Sequence, residues 1–258
     1  MIHNIIRDKS TRLFLFLGAF FIANAIIAEV IGVKLFSLED TLGIEKVNFS
    51  LLGESGLSFD LTVGTLTWPI VFIMTDIINE YYGVKGIRFL SYIAAGLIAF
   101  SFLVFYAAIH TSPAGWWVPS QAKNGVPDMQ AAYAQILGQG MMIIVASLTA
   151  FMVGQITDAT IFKRIKKLTG EKNIWMRATL STLVSQLIDT IVVLYLYLYI
   201  SLGFSFAKVT AIGIVNYSYK FLVAILMTPV IYLVHGLIEK YLGKDLAADM
   251  KNAAMREG

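Results

Sequence analysis

The sequence predicts an all-α polytopic membrane protein: a single membrane domain of six transmembrane helices with both termini in the cytoplasm. Three observations predict it. Of the 258 residues, 57% are hydrophobic and only 14% charged, with a mean hydropathy of +0.72, whereas a soluble domain carries about 25% charged residues. Six apolar runs, at 13–35, 62–82, 88–110, 138–162, 178–202 and 209–235, are each long enough to cross the hydrocarbon core, which takes about 20 apolar residues. The charges between the runs alternate in sign from loop to loop, as a bilayer-spanning chain requires. No run has the alternating ten-residue segments of an outer-membrane barrel.

The elements follow in order. Arg7, Lys9 and Arg12 precede the first run and place it cytoplasm-first. That run is long enough to span and has no small-residue cleavage site behind it, so it is expected to be a helix rather than a processed signal. The loop 36–61 carries Glu39, Asp40, Glu45, Glu54 and Asp60 against Lys46 and belongs outside. Lys85 and Arg88 return the chain to the cytoplasm after the second run. Loop 111–137, with Lys123, three prolines and Trp116-Trp117, suits an outer segment lying against headgroups. Loop 163–177 holds Lys163, Arg164, Lys166, Lys167, Lys172 and Arg177 against Glu171 and is the strongest inside signal. The sixth run ends in a mixed-charge cytoplasmic tail, 239–258. Pro69 and Pro229 are expected kink sites inside the second and sixth runs.

Polar residues inside the runs are the candidates for function, since an acid at membrane depth costs about 2.5 to 3.5 kcal/mol even on the lenient insertion scale. Asp76, Asn79 and Glu80 fall at i, i+3 and i+4, one face of a helix. Glu80 with Tyr82 also suits a water interface; Asp76 lies nearly two turns further in. Span one holds Asn24, Glu29 and Lys34, and its small pair Ala19 and Ala23 is consistent with a homodimer contact. Spans four and five echo one another: Gln155 and Asp158 in one, Gln186 and Asp189 in the other, each an amide and a carboxylate three residues apart. For Gln155 and Asp158 a role as interhelical glue, worth about 0.6 kcal/mol each, competes with function. Span six adds Asn216, Tyr217, Tyr219 and Lys220. Lys220 needs an anion, which Asp189, Asp158, Asp76 or Glu29 can provide.

The residues exclude several classes. Without cysteine there are no disulfides or thiolate ligands. No HExxH, Gly-x-Ser-x-Gly or Walker loop is present, and His3, His110 and His235 lie near span ends or a terminus. No enzyme chemistry, cofactor or metal is therefore expected, nor is nucleic-acid binding, because the basic residues form short loop clusters. Carboxylates, primary amides and tyrosines around a midplane cavity suit the edge and faces of a flat heterocycle instead, an acid accepting two N–H bonds as from a guanine-like base.

TDIINEYYG with Lys85 and Arg88 after it, GQITDATIFKRIKKLTG, WMRATLSTLVSQLIDT and YSYK, in that order, resemble the vitamin-uptake family that contains the queuosine precursor transporters. The resemblance covers roughly residues 62–235. It implies a six-helix importer in the inner (cell) membrane for 7-deazaguanine bases such as preQ0, preQ1 or queuine, with a fold similar to the substrate-binding components of energy-coupling-factor transporters. Carried over by motif, the implied site residues are Asp76, Glu80, Gln155, Asp158, Arg177, Gln186, Asp189 and Lys220, beside Asn24 and Asn216 from the reading of the spans. In this reading Asp189 or Glu80 accepts the guanine-like N–H groups, Gln155 and Gln186 complete the edge, and Lys220 orders an acid. No residue by itself reveals proton coupling; Asp76 and Asp158 are the acids to test for it. The alternatives are a substrate-binding subunit that needs an energising partner and an intramembrane enzyme.

Overall fold

A computed structural model describes residues 7–138, 141–169 and 174–256. His3, Glu171, Lys172 and the last two residues of the tail lie outside the described residues. Helix α1, Lys9–Ile31, is capped by Asp8, whose carboxylate accepts from the Thr11 N–H at 2.8 Å and from the Ser10 hydroxyl at 2.7 Å. The Thr11 hydroxyl, then that of Ser10, holds the Asp8 carboxyl down at about 2, so the cap is anionic at neutral pH.

The acidic loop expected at 36–61 is a folded cap, which adds four short strands to the all-α reading. Strand β1, Leu35–Ser37, pairs antiparallel with β4, Asp60–Thr62. Between them lie a one-turn helix α2, Leu38–Leu42, and a hairpin of β2, Phe49–Leu51, with β3, Glu54–Leu57. Its two-residue turn has φ of 55° at Leu52 and 84° at Gly53, the paired positive values that match strand twist. Glu39 is buried here, accepting the Phe59 N–H at 2.9 Å.

Helix α3 is a single element, Trp68–Ile109, where two runs joined by a turn were expected. Residues 63–66 form a 3-10 turn, and Pro69 sits in the first turn of α3 rather than kinking a longer helix. A proline suits that position because its missing N–H has no partner to lose there. The element breaks once, at Gly83 with φ 69° and ψ 179°, into arms 68–82 and 84–109. Straight, 42 residues would run about 63 Å, twice the hydrocarbon thickness of about 30 Å; the break folds the arms toward one another.

After a short α4, Met129–Leu137, helix α5 covers Met141–Thr169, so the basic residues 163–167 expected in a loop are helical. Helix α6, Ile174–Leu194, ends in a π-helical turn, Tyr195–Ser201. The run expected at 209–235 is two helices, α7, Phe206–Leu226, and α8, Thr228–Leu242, which meet at Met227 with Pro229 opening the second. The tail forms α9, Lys244–Arg256.

Helices α5 and α6 share the largest contact, and α3 packs on both α1 and α5. The core runs through Phe21, Ile77, Phe151 and Phe162. At Gly18 a Cβ would stand 2.9 Å from a Leu90 methyl, so glycine sets how closely α1 crosses the second arm of α3. Helix α9 lies over the break in α3: a Cβ on Gly83 would meet the Ala254 carbonyl oxygen at 3.2 Å. Among the described residues five helices are long and apolar enough to cross a membrane, within Lys9–Ile31, Trp68–Ile109, Ile143–Thr169, Met176–Ser201 and Phe206–Leu226. The β-ribbons mark one end of the bundle; Gly83 and α9 mark the other, the tail end.

Candidate functional site

The first arm of α3 turns Thr75, Asp76, Asn79 and Glu80 into the protein, all 3% exposed or less. A helix face this polar stays buried only where each group finds a partner. The Asn79 amide donates to the Ala159 carbonyl at 3.0 Å, and the Thr75 hydroxyl donates to Gln155 Oε1 at 2.8 Å, tying α3 to α5. Glu80 takes two cations. Arg177 Nη2 of α6 lies 2.7 Å from Oε1, and Lys166 Nζ of α5 lies 3.1 Å from Oε2 while also donating to the Glu80 carbonyl at 2.9 Å.

One turn toward the ribbons the pattern changes. Asp76 meets the Ser181 hydroxyl at 3.5 Å, and Asp158 accepts from the Ser185 hydroxyl at 3.1 Å. Serines 181 and 185 stand four apart on α6, so one face of that helix serves both acids. No cation lies within ion-pair distance of either acid among the described residues.

Asp76 also forms the polar end of a narrow cleft between α3, α6, α7 and α8, with a free interior of about 30 Å³. Trp68, Phe72 and Asp76 line it at i, i+4 and i+8 along α3. Thr179, Thr182 and Gln186 line it from α6, and Tyr219, Lys220 and Val223 from α7. Gln186 is 5% exposed and its Oε1 has no hydrogen-bond partner. At the edge of the cleft Lys220 Nζ donates to Asp189 Oδ2 at 2.7 Å and to the Thr190 hydroxyl at 3.1 Å. Of the four anions weighed for Lys220, the structure pairs it with Asp189.

The residues singled out in the sequence therefore separate. Asp76, Gln186 and Lys220 line the cleft, with Asp189 behind Lys220. Glu80, Arg177, Gln155 and Asp158 form the packed polar core next to it. Asn24 donates to the Thr67 carbonyl at 3.0 Å, fixing the start of α3 against α1, and Asn216 donates back to Ile212 within its own helix at 3.0 Å; neither lines the cleft. The echoed Gln–Asp pairs do not face each other, since Asp158 turns to Ser185 and Asp189 to Lys220. Sequence reasoning passed over Trp68, Phe72 and Thr182, and also the serines. The i, i+4, i+8 spacing of Trp68, Phe72 and Asp76 was the available signal.

A helical bundle with several membrane-crossing segments and a cleft walled by aromatics and floored by a buried acid and amide is the architecture of a multi-pass membrane protein that handles a small molecule. The comparisons make the class specific. Residues 62–234 match the family described as "Putative vitamin uptake transporter", and the chain belongs to this family of membrane transporters. It is 26% identical over 171 residues to a protein of Haemophilus influenzae named "Probable queuosine precursor transporter", covering 66% of each chain. It is 26% identical over 132 residues to a Bacillus subtilis protein of the same name, covering 51% of this chain and 53% of that one. The chain thus spans a little under two thirds of the first relative and about half of the second. No solved structure matches it.

Proposed function

We propose that this protein imports a queuosine precursor, a 7-deazaguanine base, across the cytoplasmic membrane, moving it unchanged by secondary or facilitated transport. The observation that carries this reading is that Asp76 and Gln186, whose Oε1 is unpartnered, line the same aromatic-walled cleft. The names of the two relatives agree with it. A guanine-like edge offers adjacent N–H donors, which a carboxylate and an amide oxygen accept together, while Trp68, Phe72 and Tyr219 cover the ring faces.

Asp76 takes the acceptor role here, because Glu80 is engaged by two cations away from the cleft and Asp189 by Lys220. The arms of α3 on either side of Gly83 are two crossings in this reading, giving six spans with the basic α5–α6 turn and the tail inside. Helix α7 is the wall able to move: it rests chiefly on α6, with lesser contacts to α8 and the ribbon. Accumulation of labelled 7-deazaguanine base in cells lacking their own synthesis and importer tests the reading. Wild type accumulates the label and Asp76→Asn does not at matched membrane levels; wild-type uptake no greater than in empty cells rejects the substrate class.

A further inference from the structure

The polar core behind the cleft carries a charge imbalance. Among the described residues, five fully or nearly fully buried ionisable groups lie between α3, α5 and α6: Asp76, Glu80, Asp158, Lys166 and Arg177, each 3% exposed or less. Three acids against two bases leave one negative charge in excess when all are ionised. Both bases are held by Glu80, at 2.7 and 3.1 Å. Among the described residues the surrounding elements do not supply the missing charge. From α8, His235 is bonded through Nδ1 to the Tyr81 hydroxyl at 3.2 Å; from α7, Lys220 is held by Asp189 at 2.7 Å; from α1, Glu29 adds another acid, accepting from Ser147 at 2.5 Å. From α9, Lys251 pairs with Glu239. An uncompensated charge in a dry core is costly enough that a counter-charge is to be expected.

The hydroxyl geometry says which counter-charge fits. Ser185 donates to Asp158 Oδ1 at 3.1 Å, and Ser181, one turn back on α6, lies 3.5 Å from Asp76 Oδ1 while also donating to the Ala178 carbonyl at 3.1 Å. The Ser181 hydroxyl has a single hydrogen to donate and lone pairs to accept. Given to the Ala178 carbonyl, that hydrogen is lost to an ionised Asp76. A protonated Asp76 removes the conflict, because its O–H can donate to the Ser181 oxygen while the Ser181 hydrogen stays on the carbonyl. Asp158 Oδ2, on a side chain with no exposed surface, has no partner in hydrogen-bond geometry, a position open to such a proton.

We propose that Asp76 and Asp158 jointly bind one proton, so that the core is a proton site set directly behind the cleft. The site itself is independent of the importer reading; its use in transport rests on that reading. A ligand donating N–H bonds to Asp76 holds that acid as the carboxylate, and the proton then resides on Asp158, whose Oδ2 is open to it. Ligand and proton occupy neighbouring acids of one neutral cluster, so they cross together. For a neutral ligand carried with one proton, a pH gradient of one unit drives accumulation of up to about tenfold.

Infrared difference spectroscopy of the purified full-length protein, without ligand and in sodium-free buffer, tests the site. The expected result is the carbonyl stretch of a protonated carboxyl at neutral pH, shifted in heavy water. The band is lost in both Asp76→Asn and Asp158→Asn, because either substitution removes the excess charge and leaves the remaining acid ionised. It persists in Asp189→Asn. A band common to wild type and both core variants belongs to another buried acid such as Glu29, and absence from wild type of any band that both core variants lose overturns the proposal. Should one variant fail to fold, the other and the wild-type spectrum still decide. Uptake with and without an inward proton gradient then separates the two readings. Concentration of the base by wild type but only exchange by Asp158→Asn supports coupling, gradient-independent uptake by wild type refutes it, and the infrared band without any uptake removes the importer reading while leaving the proton site.

Discussion

Replacing Glu80 by glutamine should destabilise the protein more than any other single isosteric change in the bundle. The carboxylate lies 2.7 Å from Arg177 Nη2 and 3.1 Å from Lys166 Nζ, with side chains 4% exposed or less. At an effective dielectric of about 20, these separations correspond to attractions of about 6 and about 5 kcal/mol before desolvation is counted. Desolvation of all three ions offsets most of that gain in the wild type. Removing the acid takes from Arg177 and Lys166 the anion that both contact, and breaking a buried pair in this way costs about 3 to 5 kcal/mol. Glutamine keeps the shape and one acceptor oxygen, so the loss isolates charge from packing. Unfolding in mixed micelles titrated with dodecyl sulfate gives the difference directly, and Arg177→Met with the double variant completes a thermodynamic cycle. A loss under about 1 kcal/mol for Glu80→Gln, or additive single effects, would refute the structural role assigned to this triad.

Two further outcomes follow from the same geometry. Gly83→Ala should destabilise by about 1 to 3 kcal/mol, because φ 69° with ψ 179° is a region open essentially to glycine alone. The new methyl also meets the Ala254 carbonyl at 3.2 Å, so α9 should loosen; faster proteolysis in the Gly243 linker is the check, and unchanged cleavage counts against the docking. Trp68→Ala should weaken binding of a 7-deazaguanine base by about 1 to 3 kcal/mol, the range for an aromatic that stacks on a base, or about 5- to 150-fold in Kd. Calorimetry on the purified protein measures it, and an unchanged Kd would remove Trp68 from the cleft's ring-binding wall.

What the sequence revealed and what it concealed divide along a physical line. Apolar length and loop charge located the helices, because a bilayer-sized run is a local property. Pro69 misled, since the same ring that kinks a helix interior also suits its first turn, and only the 3-10 turn at 63–66 decides between them. The run at 88–110 was expected to be separated from its predecessor by a turn, but one glycine with positive φ makes the break. Polar partners were less legible. The inward face of Asp76, Asn79 and Glu80 could be read from spacing, whereas the choice of Arg177 and Lys166 for Glu80 depends on how α5 and α6 are rotated and at what depth they cross. Lys166 looked like part of a loop and is the terminal turn of a helix folded back on the core.

The two acids of α3 show why such a helix carries more than one carboxylate. Asp76 and Glu80 are one turn apart and equally buried, at 1% and 0% exposed, yet their surroundings are opposite. Glu80 faces the tail end, where the basic residues of α5 and α6 converge, and two cations fix it in place. Asp76 faces the cleft and has hydroxyl company rather than a cation. A carboxylate locked by two strong donors has little acceptor capacity left for a ligand, while one held by a serine 3.5 Å away can exchange that weak contact for better donors. Placing both bases on Glu80 thus leaves Asp76 without an ion-pair partner among the described residues, at the point where the cleft reaches the core.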